Sequence, residues 1–466
     1  MERPGAKLGA PCAADEECSS TACIGGRCVQ LCEREAACPE GQTCTLDRTA
    51  EELRGYCVAR RGTSPPLTSC RSDAGCDRGS CLMGVCLTLC QTPGECGGGR
   101  TCGRLPAPLE RLPLTEWPEL RACLPRNQNL TTDISEDQPL LVPDTARSVL
   151  LFMSADNYDE QTVVGLRSFR TATGRFLFQL WNENDPAGYF RNPIRHYPDV
   201  GCSSFLFSSS PQRAPVRMGP YPFRIIAQDV RGIPEHARVQ AIYKLFDAPI
   251  QRGRMALRIH ITNLSGLPSG CRYRDLRASN AEQMLGPILQ RVKEIFAQST
   301  VGIQLAPISF VDSSAPSSVN VNTPGSLGNV LRTASMDTAG GADLILLRSI
   351  SPHGVLGIAG GIPGSPGIKG TPHTGAVVSM LPLCLGQFSQ EAFAVTMAHE
   401  MGHTLGLSHN REQNGQSDPL GDGNGRSESY LQDTANLMYW AEGANPGSLL
   451  TAEQGEVIRH MPQVQP

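Results

Sequence analysis

Apolar positions along the chain change their rhythm twice. Up to about residue 125, large apolar side chains are sparse and scattered among short polar stretches such as Ile24-Gly25-Gly26-Arg27, too few to build a core. From 148 onward they gather into short β-branched or aromatic runs, at 148–154, 175–181, 203–208, 221–230 and 238–246, separated by Gly, Pro and Asn turns. No helical period of comparable length competes with these runs, so an all-β sandwich is expected over 146–250. The stretch before it, 126–145, is polar and Asp-rich with Pro139 and Pro143, and reads as a linker. Beyond 254 the pattern becomes α/β. A strand is expected at 255–262, then a helix at 280–299 with Met284, Ile288, Val292 and Ile295 on one face, then strands at 301–311, 343–349 and 376–381. Near the end, Thr451-Ala452-Glu453-Gln454 is a capping box that opens a closing helix to about Met461. The fold class expected is multidomain: small modules at 1–62 and 63–125, the sandwich, and an α/β domain at 251–466.

Cysteine usage explains how the first two modules hold together. Sixteen of the 19 cysteines lie in the first 123 residues. Positions 12, 18, 23, 28, 32, 38 and 44 recur as 70, 76, 81, 86, 90, 96 and 102, an offset of 58 residues, and Cys57 and Cys123 complete the two sets. Such density points to disulfides and an oxidising destination, secreted or cell-surface. Zinc is the competing reading for clustered cysteines, but it usually shows CxxC knuckles and none occurs here. Connectivity is not readable from spacing. The spacing resembles small extracellular modules of the Dickkopf or EGF-like type, which implies a surface or matrix partner; a spacer role is the alternative. No apolar segment follows Met1-Glu2-Arg3-Pro4-Gly5, so an export signal is expected to have been removed or to lie upstream.

Charge excludes some partners. A formal net charge of -4 with dispersed Lys and Arg offers no basic stripe for nucleic acid and no polybasic membrane patch. The longest apolar runs, such as 148–153, fall far short of the roughly 20 residues that cross a bilayer, so no transmembrane segment is expected.

The strongest chemical signal is His399-Glu400-Met401-Gly402-His403-Thr404-Leu405-Gly406-Leu407-Ser408-His409, the pattern HExxHxxGxxH. Residues four apart share a helix face, so His399 and His403 can offer two imidazoles to one ion with Glu400 beside them. Gly406 can end the helix in a left-handed conformation and swing His409 back to the same ion. Three neutral nitrogens and an open position fit a catalytic Zn2+ rather than a closed structural site. With 48 Gly and 9 His in 466 residues, the added Gly and His fall in place by chance roughly once in five hundred trials, which weighs against an ordinary helix with stray histidines.

This motif resembles that of the metzincin metallopeptidases. The resemblance covers about residues 254–466 and implies a turn carrying a methionine beneath the zinc; Met438, in Asn436-Leu437-Met438-Tyr439-Trp440, is the candidate. Some metzincins carry a Tyr two positions after that Met, where this chain has Trp440, so that role is not carried over to Tyr439. The resemblance further implies an edge strand above the zinc that pairs with extended substrate, and Gly357, Ile358, Ala359, Gly360 and Gly361 are its candidates, with a flexible surface loop as the alternative. In the polar loop at 410–434, Asp418, Asp422, Asn424 and Asp433 offer oxygens to Ca2+, but the spacing fits no EF-hand, which favours a solvated loop.

The function expected is an exported zinc endopeptidase acting on a protein or peptide substrate, with Glu400 as general base. The rivals are a non-catalytic surface-binding or adhesion protein with a vestigial zinc site and a zinc hydrolase of a non-peptide amide; retention of Glu400 and all three His favours the enzyme. Three cysteines lie outside the modules. Cys271 and Cys384, in one expected domain, are expected to pair; Cys202 is then left as a buried inert thiol or, alternatively, as a cysteine plug on the zinc.

Overall fold

The computed structural model describes the chain except residues 1–5, 21, 50, 51, 61, 181–191, 210, 212, 230, 336–339, 353, 366, 369, 411–433 and 440–446. A disulfide-rich N-terminal region is followed by mostly β-sheet structure with few helices.

All sixteen N-terminal cysteines are bonded, and the two halves repeat one connectivity. Cys12–Cys23, Cys18–Cys28, Cys32–Cys44 and Cys38–Cys57 are matched by Cys70–Cys81, Cys76–Cys86, Cys90–Cys102 and Cys96–Cys123. The bonds close the short loops covalently, but in the second half they do not stand in for a core: contrary to the expectation, Leu82, Val85, Leu87, Leu105 and Leu124 are buried in one cluster with Val149, Leu151 and Tyr243 of the sheets that follow. The halves also touch. Buried Thr45 and Ser80 share a hydrogen bond of 3.0 Å, and Arg48 pairs with Asp73 at 3.0 Å.

Two antiparallel sheets come next. In the first, strands β1 (Gln128–Ile134), β2 (Ala146–Ala155), β6 (Cys202–Phe207) and β8 (Ala237–Leu245) lie in the order β1-β8-β2-β6. In the second, β3 (Thr162–Arg170) pairs with β4 (Phe176–Gln179), β5 (Asp199–Val200) and β7 (Phe223–Asp229). Residues 126–145, expected as a linker, instead supply β1 and the short strand Leu140–Val142, which pairs with Gly219–Tyr221. Strand β1 alternates Leu130 and Thr132 inward with polar residues outward, a weak period that the Asp-rich composition concealed. Strand β3 was also absent from the sequence reading. A bulge between Leu166 and Ser168 shifts its register, so Leu166 and Phe169 both face the core although three residues apart, which breaks the alternation.

In the first sheet, β2, β6 and β8 carry buried apolar residues on both faces. Val149, Leu151, Met153, Phe205, Phe207 and Tyr243 point toward the second sheet, while Leu150, Phe152, Cys202, Leu206 and Ile242 point the other way into the core of the C-terminal half. A strand covered on both sides reads as a continuous apolar run, which is the pattern at 148–154.

The C-terminal half is built on a five-stranded sheet, in the order β10-β9-β11-β13-β12, from β9 (Gly253–Ile261), β10 (Ile303–Asp312), β11 (Ala342–Leu347), β12 (Gly357–Ala359) and β13 (Ala376–Ser379). All neighbours are parallel except β12, which runs antiparallel to β13 along one edge. Helix α1 (Ala281–Ala297) buries Leu285, Ile288, Val292 and Ile295, the face the sequence marked save for Met284, which is partly buried. Helix α2 (Ser326–Ser335), whose short apolar stripe is Leu327, Val330, Leu331 and Ala334, covers the opposite face and escaped the sequence reading. The short α3 (Leu381–Cys384) precedes the long buried α4 (Gln390–Thr404), and α5 (Ala452–His460) closes the fold. Cys271 and Cys384 are bonded, as expected from their shared domain, and tie the approach to α4 back to the segment after β9.

The two halves are joined by a buried lysine. Lys244 of β8 donates to the carbonyls of Arg459, Met461 and Val464 at 2.6, 2.7 and 2.5 Å, and Ser148 Oγ donates to His460 O. Burial pushes the Lys244 pKa down to about 7, and the three carbonyls pull the other way, because only the ammonium form has three hydrogens to give. Lys244→Met removes all three donors and leaves the carbonyls buried, at a cost of about 2–4 kcal/mol. The expected result is a lower thermal midpoint with faster amide exchange over 459–464; an unchanged midpoint rejects the clamp. Cys202 is the one unbonded cysteine and is fully buried. Alkylation without reductant is expected to label nothing in the native protein and only Cys202 after unfolding; a labelled Cys271 or Cys384 rejects the assigned bridge.

Candidate metal centre

Ser389 caps α4, its side chain accepting from Ala392 N at 3.1 Å, and Glu391 lies in the first turn. Every residue from Ala392 to Thr404 is buried. A helix buried all round has no amphipathic period, so its position came from the His spacing rather than from apolar rhythm. The helix ends in a Schellman turn. Leu407 N donates to Gly402 O at 3.0 Å and Gly406 N to His403 O at 2.9 Å, with Gly406 at φ +90°. That reversal carries the chain back along the helix to His409.

The three imidazoles converge. His399 Nε2 and His403 Nε2 lie 3.3 and 3.1 Å from His409 Nε2. Tetrahedral zinc with Zn–N bonds of about 2.0–2.1 Å requires its nitrogens about 3.3–3.4 Å apart, so the spacing fits such an ion. The tautomers are set by the surroundings. His399 Nδ1 is 2.7 Å from Leu437 O and His403 Nδ1 is 2.7 Å from Leu407 O; a carbonyl only accepts, so both protons sit on Nδ1 and both Nε2 lone pairs face the common point. Burial is the main cause that pushes the His399 pKa down to about 4, with His409 adding to it, and burial and the other two histidines hold His403 well below its usual range. Neutral imidazole is the form that binds metal. The three form a group of donor atoms within 4.8 Å of one another. The cysteine triplets with similar spacing consist of disulfide sulfurs.

Met438 is fully buried beneath the helix. A Cβ on Gly402 would lie 2.6 Å from its Sδ, so only glycine lets the methionine seat so close. The same turn reaches two histidines, through Leu437 O to His399 and through Met438 O, which accepts from Asn410 N at 2.9 Å beside His409. Glu400 is buried and adjoins the edge strand β12, where a Cβ on Gly357 would meet its Cγ at 2.5 Å. Gly357, Ile358 and Ala359 form that strand and pair with β13 on one side only among the described residues; Gly360 N extends the pairing to Gly375 O at 2.9 Å, and Gly360 and Gly361 lie against His373. Leu437 O and Leu407 O were missed by the sequence reading, since a backbone acceptor leaves no compositional trace. Trp440, Asp418, Asp422, Asn424 and Asp433 lie outside the described residues. Cys202 is not part of the histidine group, and burial pushes its thiol up to about 12, so it stands as an inert core thiol and not as a plug.

No family model and no curated protein matches the chain. Among solved structures it is similar to metalloproteinase-II from Bacteroides fragilis, with 17% identity and a TM-score of 0.29. The alignment covers 46% of this chain and 55% of that one, so the chain matches about half of that protein's length.

Proposed function

We propose that the chain is a zinc-dependent endopeptidase of the metzincin type, with its catalytic unit over about 251–466. The observation that carries the reading is the convergence of three Nε2 atoms at 3.1 and 3.3 Å beside a buried Glu400 and a one-sided edge strand. His399, His403 and His409 hold the ion, and the chemistry it supplies when bound is acidification of a water and polarisation of the scissile carbonyl. Glu400 is not a ligand. Its carboxylate accepts the water's proton and returns it to the leaving amine. The backbone of β12, whose outer side is unpaired among the described residues, offers an extended peptide a strand to join, so the substrate's carbonyl is set over Glu400 by main-chain hydrogen bonds. Gly357 serves this geometry by taking up no room against Glu400.

The disulfide-bonded modules fit an exported protein and a macromolecular substrate. A vestigial site would retain no reason to keep a general base beside three convergent imidazoles, which argues against the adhesion reading.

Incubation of the pure protein with denatured casein or gelatin is expected to give fragments that a chelator abolishes and added zinc restores; no cleavage under any metal loading rejects the peptidase. Glu400→Gln is expected to keep its zinc, measured by atomic emission, and to lose roughly two to four decades of activity. Full activity in that variant sinks the assignment. In Gly357→Val the new side chain displaces Glu400 by about 1 Å or more, and a misplacement of that size costs about a hundredfold in rate with zinc retained. An undiminished rate removes β12 from the site.

A further inference from the structure

The histidines are held at two removes from a residue with no obvious chemistry. His403 is oriented by its own helix end through Leu407 O. The other two lean on the turn Asn436-Leu437-Met438, His399 through Leu437 O and the segment of His409 through Met438 O. That turn is fixed from below. Leu437 N donates to Leu449 O at 2.8 Å, and Asn436 Oδ1 accepts from Met438 N at 2.9 Å. Asn436 is then locked by a reciprocal amide pair with Gln454 of α5: Asn436 Nδ2 donates to Gln454 Oε1 at 3.0 Å, and Gln454 Nε2 donates to Asn436 Oδ1 at 3.2 Å. Both side chains are buried, at 5% and 1% exposure.

Backbone donors dictate the orientation of each amide. Met438 N requires an oxygen on Asn436, and Thr451 N, which donates to Gln454 Oε1 at 3.0 Å, requires an oxygen on Gln454. With both oxygens so assigned, the two NH2 groups are left facing the two oxygens. A capping box asks only for an acceptor at its third position, and Glu meets that demand as well as Gln. The amide is needed for one further bond, the donation to Asn436.

We infer that Gln454 is a positioning residue of the metal centre: it fixes Asn436, hence the carbonyls of Leu437 and Met438, hence His399 and His409. The inference rests on the reading of the three histidines as zinc ligands. Bonds that orient the ligands of a metal are each worth about 10–100-fold in its affinity, far more than a bond that merely caps a helix.

The test uses the full chain, zinc(II) affinity by competition with a chromophoric chelator, and the visible spectrum of the cobalt(II)-loaded protein. Gln454→Met is expected to weaken zinc by about 10–100-fold and to shift the cobalt bands. Thr451→Ala is the comparison: it breaks the same capping box but leaves the amide pair, so its thermal midpoint falls while zinc affinity and cobalt bands stay at the wild-type values. Gln454→Glu keeps both acceptor roles and loses only the donation to Asn436, so its zinc affinity is expected between the wild type and Gln454→Met. A Gln454→Met protein that melts earlier but binds zinc as the wild type does overturns the inference. Should that variant not fold, Gln454→Glu decides alone, and unchanged zinc affinity overturns it. A wild-type chain that binds zinc yet cleaves no substrate sinks the peptidase and leaves the zinc readout of Gln454 standing; a wild-type chain that binds no zinc sinks both.

Discussion

Two hydrogen bonds from imidazole Nδ1 to backbone carbonyls govern the site. They commit the protons of His399 and His403 to Leu437 O and Leu407 O, so both Nε2 lone pairs must point inward at one place. In water an imidazole turns freely and titrates near neutrality. Inside this protein burial keeps His399 and His403 neutral, and the carbonyls fix the rotation of each ring. Two such acceptors at 3.1 and 3.3 Å from the Nε2 of His409 gather three ring nitrogens at one place, the spacing that the proposed zinc reading rests on.

Each carbonyl belongs to a different support. Leu407 lies in the turn that ends α4, so His403 is positioned within a few residues of its own helix. Leu437 lies 38 residues from His399, in a turn that is braced by α5 through Gln454 and by Leu449. The last turn of α5 and the residues after it are in turn held by Lys244 and Ser148 of the first antiparallel sheet. A continuous set of buried polar contacts thus runs from that sheet, through the C-terminal segment, to the floor of the histidine cluster. Such a network rigidifies only if each member is satisfied, and the ammonium and both amides named here are. The sheet that carries Lys244 therefore packs as part of the same core and not as a tethered neighbour, which is why its strands show apolar residues on both faces.

What the sequence determined by itself was whatever depends on local spacing. Four-residue separation put His399 and His403 on one helix face, Gly406 announced the reversal, Thr451 and Gln454 announced a helix start, and repeated cysteine intervals announced a duplicated, disulfide-bonded region. Those are short-range consequences of helix pitch, glycine's freedom at positive φ and the pairing of closely spaced cysteines. Tertiary structure decided everything that depends on which distant segments meet. Strand β1 was mistaken for a linker because its pairing with β8 spans more than a hundred residues, and β3 was overlooked because a bulge erased its period. Leu437 O, the close approach of Gly357 to Glu400, and the second bond of Gln454 were equally invisible, since a backbone carbonyl, an absent side chain and an amide's spare hydrogen look the same in any sequence. Composition records what a residue can do, and only the packed chain selects which partner it does it with.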